Sequence, residues 1–274
     1  MHTTTAAIEF TRHRRLNQAV ADIVVGLRSA YVWGLLGLHD IKQRYRRSSL
    51  GPFWLTLSMA IMIGTMGMLY ARLFGQNVSE YLPFLAVGLL VWTFMSTAVN
   101  ELCLSFIAAD TIVKQIKLPL TVHVARVVWR NVLILAHNAV ILVPIALWSG
   151  KATPLGIVTA LVGVFFLAVT CLFLGLILGI LCARFRDIPQ IIASLTQIVF
   201  FLTPILWKPE VIADRIWLVG FNPIFHYIEL VRAPILQGHV PVQSWIICAA
   251  ISLGLALVAT LLLARFGRRV AYWL

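Results

Sequence analysis

Six apolar stretches, at about 52–72, 81–100, 124–148, 155–182, 189–207 and 243–264, decide what this chain can fold into. From Pro52 to Ala71 there is no charged residue; the second run lies between Glu80 and Glu101, the fifth between Asp187 and Lys208. A bilayer core about 30 Å thick is crossed by about 20 helical residues, so uncharged runs of this length read as transmembrane helices. Composition agrees. Of the 274 residues 61% are hydrophobic and only 12% charged, where soluble domains carry roughly 25%. The expected fold class is an all-α membrane protein with six transmembrane helices, and no internal repeat or low-complexity segment divides it.

Charge placement sets the orientation. Of 22 lysines and arginines, only Arg72, Lys151, Lys208, Arg215 and Arg232 fall on one side of the six-span scheme, and 17 fall on the other. Positive loops face the cytoplasm, so both termini are expected there. Arg126 and Arg130 lie in the first turns of the third run, where long side chains snorkel to the headgroups and mark its cytoplasmic end. A net charge of +12 would otherwise suggest nucleic-acid binding, but its concentration on one membrane face accounts for it. Cys103, Cys171, Cys182 and Cys248 lie in or beside apolar runs and form no CxxC pair, so they read as packing residues rather than metal ligands or a disulfide framework. The first forty residues, mixed polar and apolar, do not have the form of a cleaved signal peptide.

Three segments outside the spans carry further information. After a cytoplasmic tail over 1–26, Tyr31, Leu35, Leu38, Ile41 and Tyr45 recur at helical spacing, which predicts an amphipathic interface helix over 27–47. Gly51-Pro52 then turns the chain into the first span. In the loop 102–121, Phe106, Ala109, Ile112 and Ile116 form an apolar stripe. Asp110 is expected to cap a short helix from Thr111 to Lys117, stopped by Pro119, forming a docking knob for a soluble partner or a simple connector. The stretch 208–242 is too long for a hairpin and holds the turn signal Asn222-Pro223 between two apolar pieces, which predicts two outer half-helices. Irregular backbone at membrane depth needs protein or a wet cavity around it.

Four motifs in order, "RYRRSSLGPFW" entering the first span, "ADTIVKQIKLPL" between spans two and three, "RFRDI" between four and five, and "NPIFHYIELVRAPILQG" before span six, resemble the permease subunit of type-2 ABC transporters that export O-antigen, capsule or teichoic-acid chains. The resemblance covers about residues 27–272 of a single transmembrane domain, 27–274. It implies a bacterial inner-membrane homodimer bound to two copies of a separate ATPase, moving a polyprenyl-diphosphate-linked polysaccharide. The chain has no GxxxxGK[ST] phosphate loop, so it is expected to be no enzyme and to carry no cofactor or metal, with ATP and Mg on the partner subunit. A drug or small-lipid permease would share the architecture. A membrane transferase would need clustered carboxylates, and the ten acidic residues are scattered.

The resemblance assigns roles. Arg44, Arg46 and Arg47 are candidates for receiving the diphosphate, because a guanidinium fork matches phosphate oxygens; the same charges, with Lys42, also serve orientation. A sugar chain slides along aromatic faces in a neutral, wet channel, for which Phe53, Trp54, Tyr70, Phe74, Trp92, Phe94, Phe200 and Phe201 are candidates. The segment Asp110, Thr111, Lys114 and Lys117 is similar to a coupling helix, and Arg184, Arg186 and Asp187 to a second ATPase contact. Asn222, Pro223, Tyr227, Glu229 and Arg232 fall in a periplasmic gate, where an exposed Glu229–Arg232 pair would contribute about 0–1 kcal/mol. His137-Asn138 in span three reads as an interhelical hydrogen-bonding pair.

Overall fold

The structure, a computed structural model, describes residues 2–46, 51, 53–149, 153–210 and 217–274. Among these, every regular element is helical: α1 His2–Arg28, α2 Ala30–Arg44, α3 Phe53–Leu73, α4 Val78–Cys103, α5 Asp110–Gln115, α6 Leu120–Asn138, α7 Leu142–Ser149, α8 Pro154–Arg184, α9 Ile188–Leu202, α10 Trp217–Gly220, α11 Pro223–Leu236, α12 Val242–Phe266 and α13 Val270–Trp273. Five stretches are long and apolar enough to cross a membrane: Phe53–Leu73, Val78–Cys103, Leu120–Trp148, Pro154–Arg184 and Val242–Trp273.

At the centre stands α4, touching α3, α6, α7, α8, α9 and α11. Residues 85–91 of it, Leu-Ala-Val-Gly-Leu-Leu-Val, are buried without interruption, which is the pattern of a helix apolar on every side. Against it packs α8, whose glycines admit neighbours closely. A Cβ at Gly175 would lie 2.5 Å from Leu102 and one at Gly179 2.8 Å from the Phe106 ring. On the other half of α8, a Cβ at Gly163 would stand 2.7 Å from the Leu230 carbonyl oxygen, and one at Gly156 would meet the Pro234 carbonyl. Lipid supplies no hydrophobic drive between helices, so such small-residue contacts set the packing. They seat α11, a helix with eight buried residues, against α8, α4 and α12.

Three elements differ from the sequence expectation, each for a local reason. Residues 2–26 are helical rather than a tail, and the interface helix runs Ala30–Arg44 after a 62° bend at Ser29. The Ser29 hydroxyl donates to the Val25 carbonyl at 2.8 Å, the kind of back-bonding that bends helices. Span three is interrupted by a 3-10 turn over Ala139–Ile141. Pro144 lies just beyond it, and a proline ring excludes the carbonyl four residues back, here that of Val140. Span five ends at Leu202, making α9 only 15 residues long instead of reaching 207. Thr203 is extended (φ −93, ψ 136) ahead of Pro204, as a residue before proline prefers.

Of the two expected outer half-helices, the second is α11. The first falls largely on residues outside those described and contributes only α10.

Candidate functional site

The segments expected to be cytoplasmic meet at one end of the bundle. There α2 lies on α6 because Gly37 gives it room: a Cβ at that position would sit 3.0 Å from the Trp129 ring and 3.2 Å from the Arg126 carbonyl. The apolar stripe of α2 faces away from the protein, with Tyr31 80% exposed. One helical turn from Gly37, Asp40 takes Arg126 in a two-pronged pair, its Oδ2 accepting from Nε at 2.7 Å and its Oδ1 from Nη2. Arg130 Nη1 donates to the same carboxylate at 2.7 Å. Its Nη2 donates to Glu101 of α4 at 2.7 Å, and Asn131 donates there too, at 2.7 Å. Arg44 Nη2 closes the network on Glu101 at 2.9 Å.

Two carboxylates thus hold three arginines across α2, α4 and α6. Burial alone would push Asp40 up, but Arg126 and Arg130 outweigh it and hold the carboxyl below its ordinary value of 3.8. The bond to Glu101 outweighs burial at Arg44 and raises its already high pKa.

Arg44, one of the expected diphosphate ligands, is therefore committed in part to Glu101, with 45% of its side chain exposed. Arg46 is exposed just past the end of α2, and Arg47 lies outside the described residues. Sequence reading missed Asp40, Glu101, Arg126 and Arg130 as one unit; the signal was two arginines one turn apart at the start of an apolar run.

Between α4 and α6 in the chain lies the loop helix. The structure places Asp110 as the first residue of α5 rather than its cap, with no side-chain capping bond, and the helix stops at Gln115 instead of Lys117. Asp110 pairs along the helix with Lys114 at 2.8 Å. Phe106 and Ala109 are buried and anchor the loop, while Thr111, Lys114, Gln115, Ile116 and Lys117 are exposed. The next helix is fixed from α1: Asp22 accepts from the backbone N–H of Leu120 at 2.9 Å, of Thr121 at 3.1 Å, and from the Thr121 hydroxyl at 2.8 Å. Four N–H groups at a helix start have no internal partner, and this carboxylate takes two of them.

The second expected contact is brought close by residues the sequence gave no reason to choose. Arg184 lies 5.6 Å over the Trp273 ring, and Arg186 donates to the carbonyls of Trp273 and Leu274 at 3.4 Å. The helix α13 that carries Trp273 also touches α5. Asp187 precedes α9 without capping it through its side chain.

The aromatic candidates form two rows. Tyr70 and Phe74 stack at 5.9 Å, and the row continues through Tyr81 to Phe84 at centroid spacings of 6.3 Å. Trp92, Phe200 and Phe201 make the second, at 5.5 and 5.3 Å. Phe53 and Trp54 are exposed, Phe53 edge-on to His137 at 5.4 Å. Phe94 is the exception, 4% exposed within the core, so it faces no channel. An apolar cavity of about 260 Å³ between α4, α7, α8 and α11 is lined by none of these aromatics. Asn138 receives a 3.3 Å hydrogen bond from Thr56 of α3, the interhelical role expected of it.

In the expected gate, Asn222 caps α11 by accepting from Ile224 N at 3.0 Å, with Pro223 in the first turn. Tyr227 is buried, its hydroxyl 3.3 Å from Ser252. The Glu229–Arg232 pair is not exposed. Arg232 is 1% exposed, held by Glu229 at 2.8 Å, by the Pro204 carbonyl at 2.9 Å and by the Phe84 ring at 4.1 Å. Tyr81 donates to the Leu206 carbonyl beside it, so the segment after α9 is pinned to both α4 and α11. Among the described residues no cluster of His, Cys, Asp or Glu is placed to hold a metal ion.

The sequence profile of the ABC-2 type transporter family matches residues 31–236. The chain belongs to the ABC-2 type transporter family. It is a multi-pass membrane transport subunit, and membership implies an ABC ATPase as partner. Family similarity spans α2 through α11, leaving α1, α12 and α13 outside it. Similar proteins include the O-antigen export system permease protein RfbA of Myxococcus xanthus, 25% identical over 205 residues that cover 74% of this chain and 79% of the relative. The same-named protein of Klebsiella pneumoniae is 25% identical over 207 residues, covering 73% and 78%.

Proposed function

We propose that this chain is the channel-forming permease of an exporter that moves polyprenyl-diphosphate-linked polysaccharide across the bacterial inner membrane. It works as a homodimer with two ATPase copies that hold ATP and Mg, both termini facing the cytoplasm. The similarity over three quarters of the chain to O-antigen export permeases carries the substrate class. The charge asymmetry supports the orientation, since the basic segments meet at one end of the bundle. α3 and α9 leave most of their apolar surface uncovered while flanking the aromatic rows on α4, which supports a second copy closing a conduit there.

The arrangement also suggests how ATPase motion reaches the membrane. α5 hands over to α6 through four residues, and α6 carries Arg126 and Arg130, to which α2 and α4 are tied. A push on α5 therefore moves α6 with α2 and α4 in train. In this reading Arg44 and Arg46, at the end of α2, receive the diphosphate, with Arg44 also bonded to Glu101.

The test is ATP turnover of the chain with its ATPase in nanodiscs, with and without polyprenyl-diphosphate glycan. Stimulation by the glycan lipid that Arg44→Ala/Arg46→Ala abolishes supports both the substrate and the arginine role. Stimulation surviving that variant returns the arginines to orientation. No response to the lipid overturns the polysaccharide reading in favour of a drug or small-lipid substrate.

A further inference from the structure

A cleft of about 1120 Å³ opens at the charged end between α1, the stretch joining α5 to α6, and the end of α12. Arg14, Arg15, Lys117 and Arg268 line it. The carboxylate on its wall, Asp22, is committed to the start of α6. Among the described residues none of these four cations has an ion-pair partner, whereas Arg44, Lys114, Arg126, Arg130 and Arg232 each have one.

Apart from Gln18, the rest of the wall is apolar, including Leu120 and Leu263. Each stands near the end of an uncharged run. α6 begins at Leu120, and the uncharged run of α12 ends one residue after Leu263, at Ala264 before Arg265. Cations on the charged side and aliphatic side chains on the span side suit a molecule with an anionic head and a hydrocarbon tail. A soluble anion would answer the cations and leave the aliphatic wall wet; a zwitterionic headgroup would add a cation to four already there. Arg14, Arg15 and Arg268 also lie outside the residues matched by the family profile, 31–236.

We propose that this cleft holds one anionic phospholipid, its phosphate among the four cations and an acyl chain along Leu120 and Leu263. Such a lipid joins α1 and α12 to the segment that carries α5.

The test is native mass spectrometry of the full chain, purified and incubated with phosphatidylglycerol or phosphatidylcholine. The cleft variant Arg14→Gln/Arg268→Gln is compared with Arg265→Gln/Arg269→Gln, which removes the same charge beside the cleft. The expected result is one retained phosphatidylglycerol on the wild type and the control, retention lower by about tenfold on the cleft variant, and no retained phosphatidylcholine. Equal loss from both variants would show diffuse surface attraction and overturn the proposal, as would equal retention of both lipids. Displacement of the lipid by soluble pyrophosphate would make the site one for phosphate alone. A photo-crosslinker at position 15 that captures the ATPase in place of lipid in the assembled complex would make it a protein contact. If the double variant does not fold, Arg15→Gln is read in the same way. The readout needs no transport, so its failure is separable from failure of the export reading.

Discussion

Arg232 lies under Phe84 with its guanidinium 4.1 Å from the ring centre, so a cation from α11 is buried against an aromatic side chain of α4. Removing one partner of a buried ion pair leaves the other uncompensated. Arg232→Met is expected to destabilise the chain by about 3–5 kcal/mol, while Arg232→Met/Glu229→Gln, which leaves no orphan charge, loses markedly less. Thermal unfolding in detergent checks this; equal losses would remove the case for a buried pair.

The latch between α2 and α6 depends on an ionised Asp40. Its pKa is depressed in the folded chain, so its contribution is complete above the unfolded value of about 3.8 and is lost as pH falls below it. Hydrogen exchange across residues 30–44 is therefore expected to be flat from pH 8 to 5 after correction for intrinsic rates. Asp40→Asn should raise it at pH 7, and an unchanged profile in that variant would mean Gly37 packing alone holds the helix.

Asp22 acts on α6 from outside that helix. Asp22→Ala is expected to cost about 1–2 kcal/mol, the range for losing a helix cap, and to speed amide exchange at Leu120 and Thr121 specifically. Uniform change along α6 would point to global destabilisation instead.

Gly163 faces the backbone of α11, which cannot step aside as a flexible side chain can. Gly163→Leu is expected to lower stability by at least about 1–3 kcal/mol through overpacking, whereas the same change at Gly64, whose Cβ would meet nothing within 4 Å, should be nearly neutral. Comparing the two melting temperatures decides it.

Ile116 is 53% exposed at the end of the loop helix. Ile116→Asp is expected to leave thermal stability within about 0.5 kcal/mol, as for ordinary surface changes, yet to reduce co-purification of the ATPase. Normal co-purification would place the docking surface elsewhere.

The all-helical class, most apolar boundaries and the concentration of charge were readable because a membrane imposes a strong, simple pattern on sequence. What escaped was set by single residues working against that pattern. Pro144 and Pro204 each interrupt a run that hydropathy alone treats as continuous. The sequence suggests an exposed Glu229–Arg232 pair because such pairs near a span end ordinarily face water; the burial of Arg232 follows from Phe84 and Pro204, which lie 148 and 28 residues before it along the chain and meet it only in the fold. The arginine network escaped for the same reason, since Asp40, Glu101 and Arg126 lie on three different helices.

The early end of α9 has a consequence for the bilayer itself. Fifteen residues rise about 22 Å, some 8 Å short of a hydrocarbon core about 30 Å thick. Lipids that reach any face of α9 left uncovered by a second copy must either thin to meet it or leave its tip against the pinned Pro204–Leu206 segment in a wet recess. Hydrophobic mismatch is thereby written into one flank of the protein, and a thicker membrane would strain that flank first.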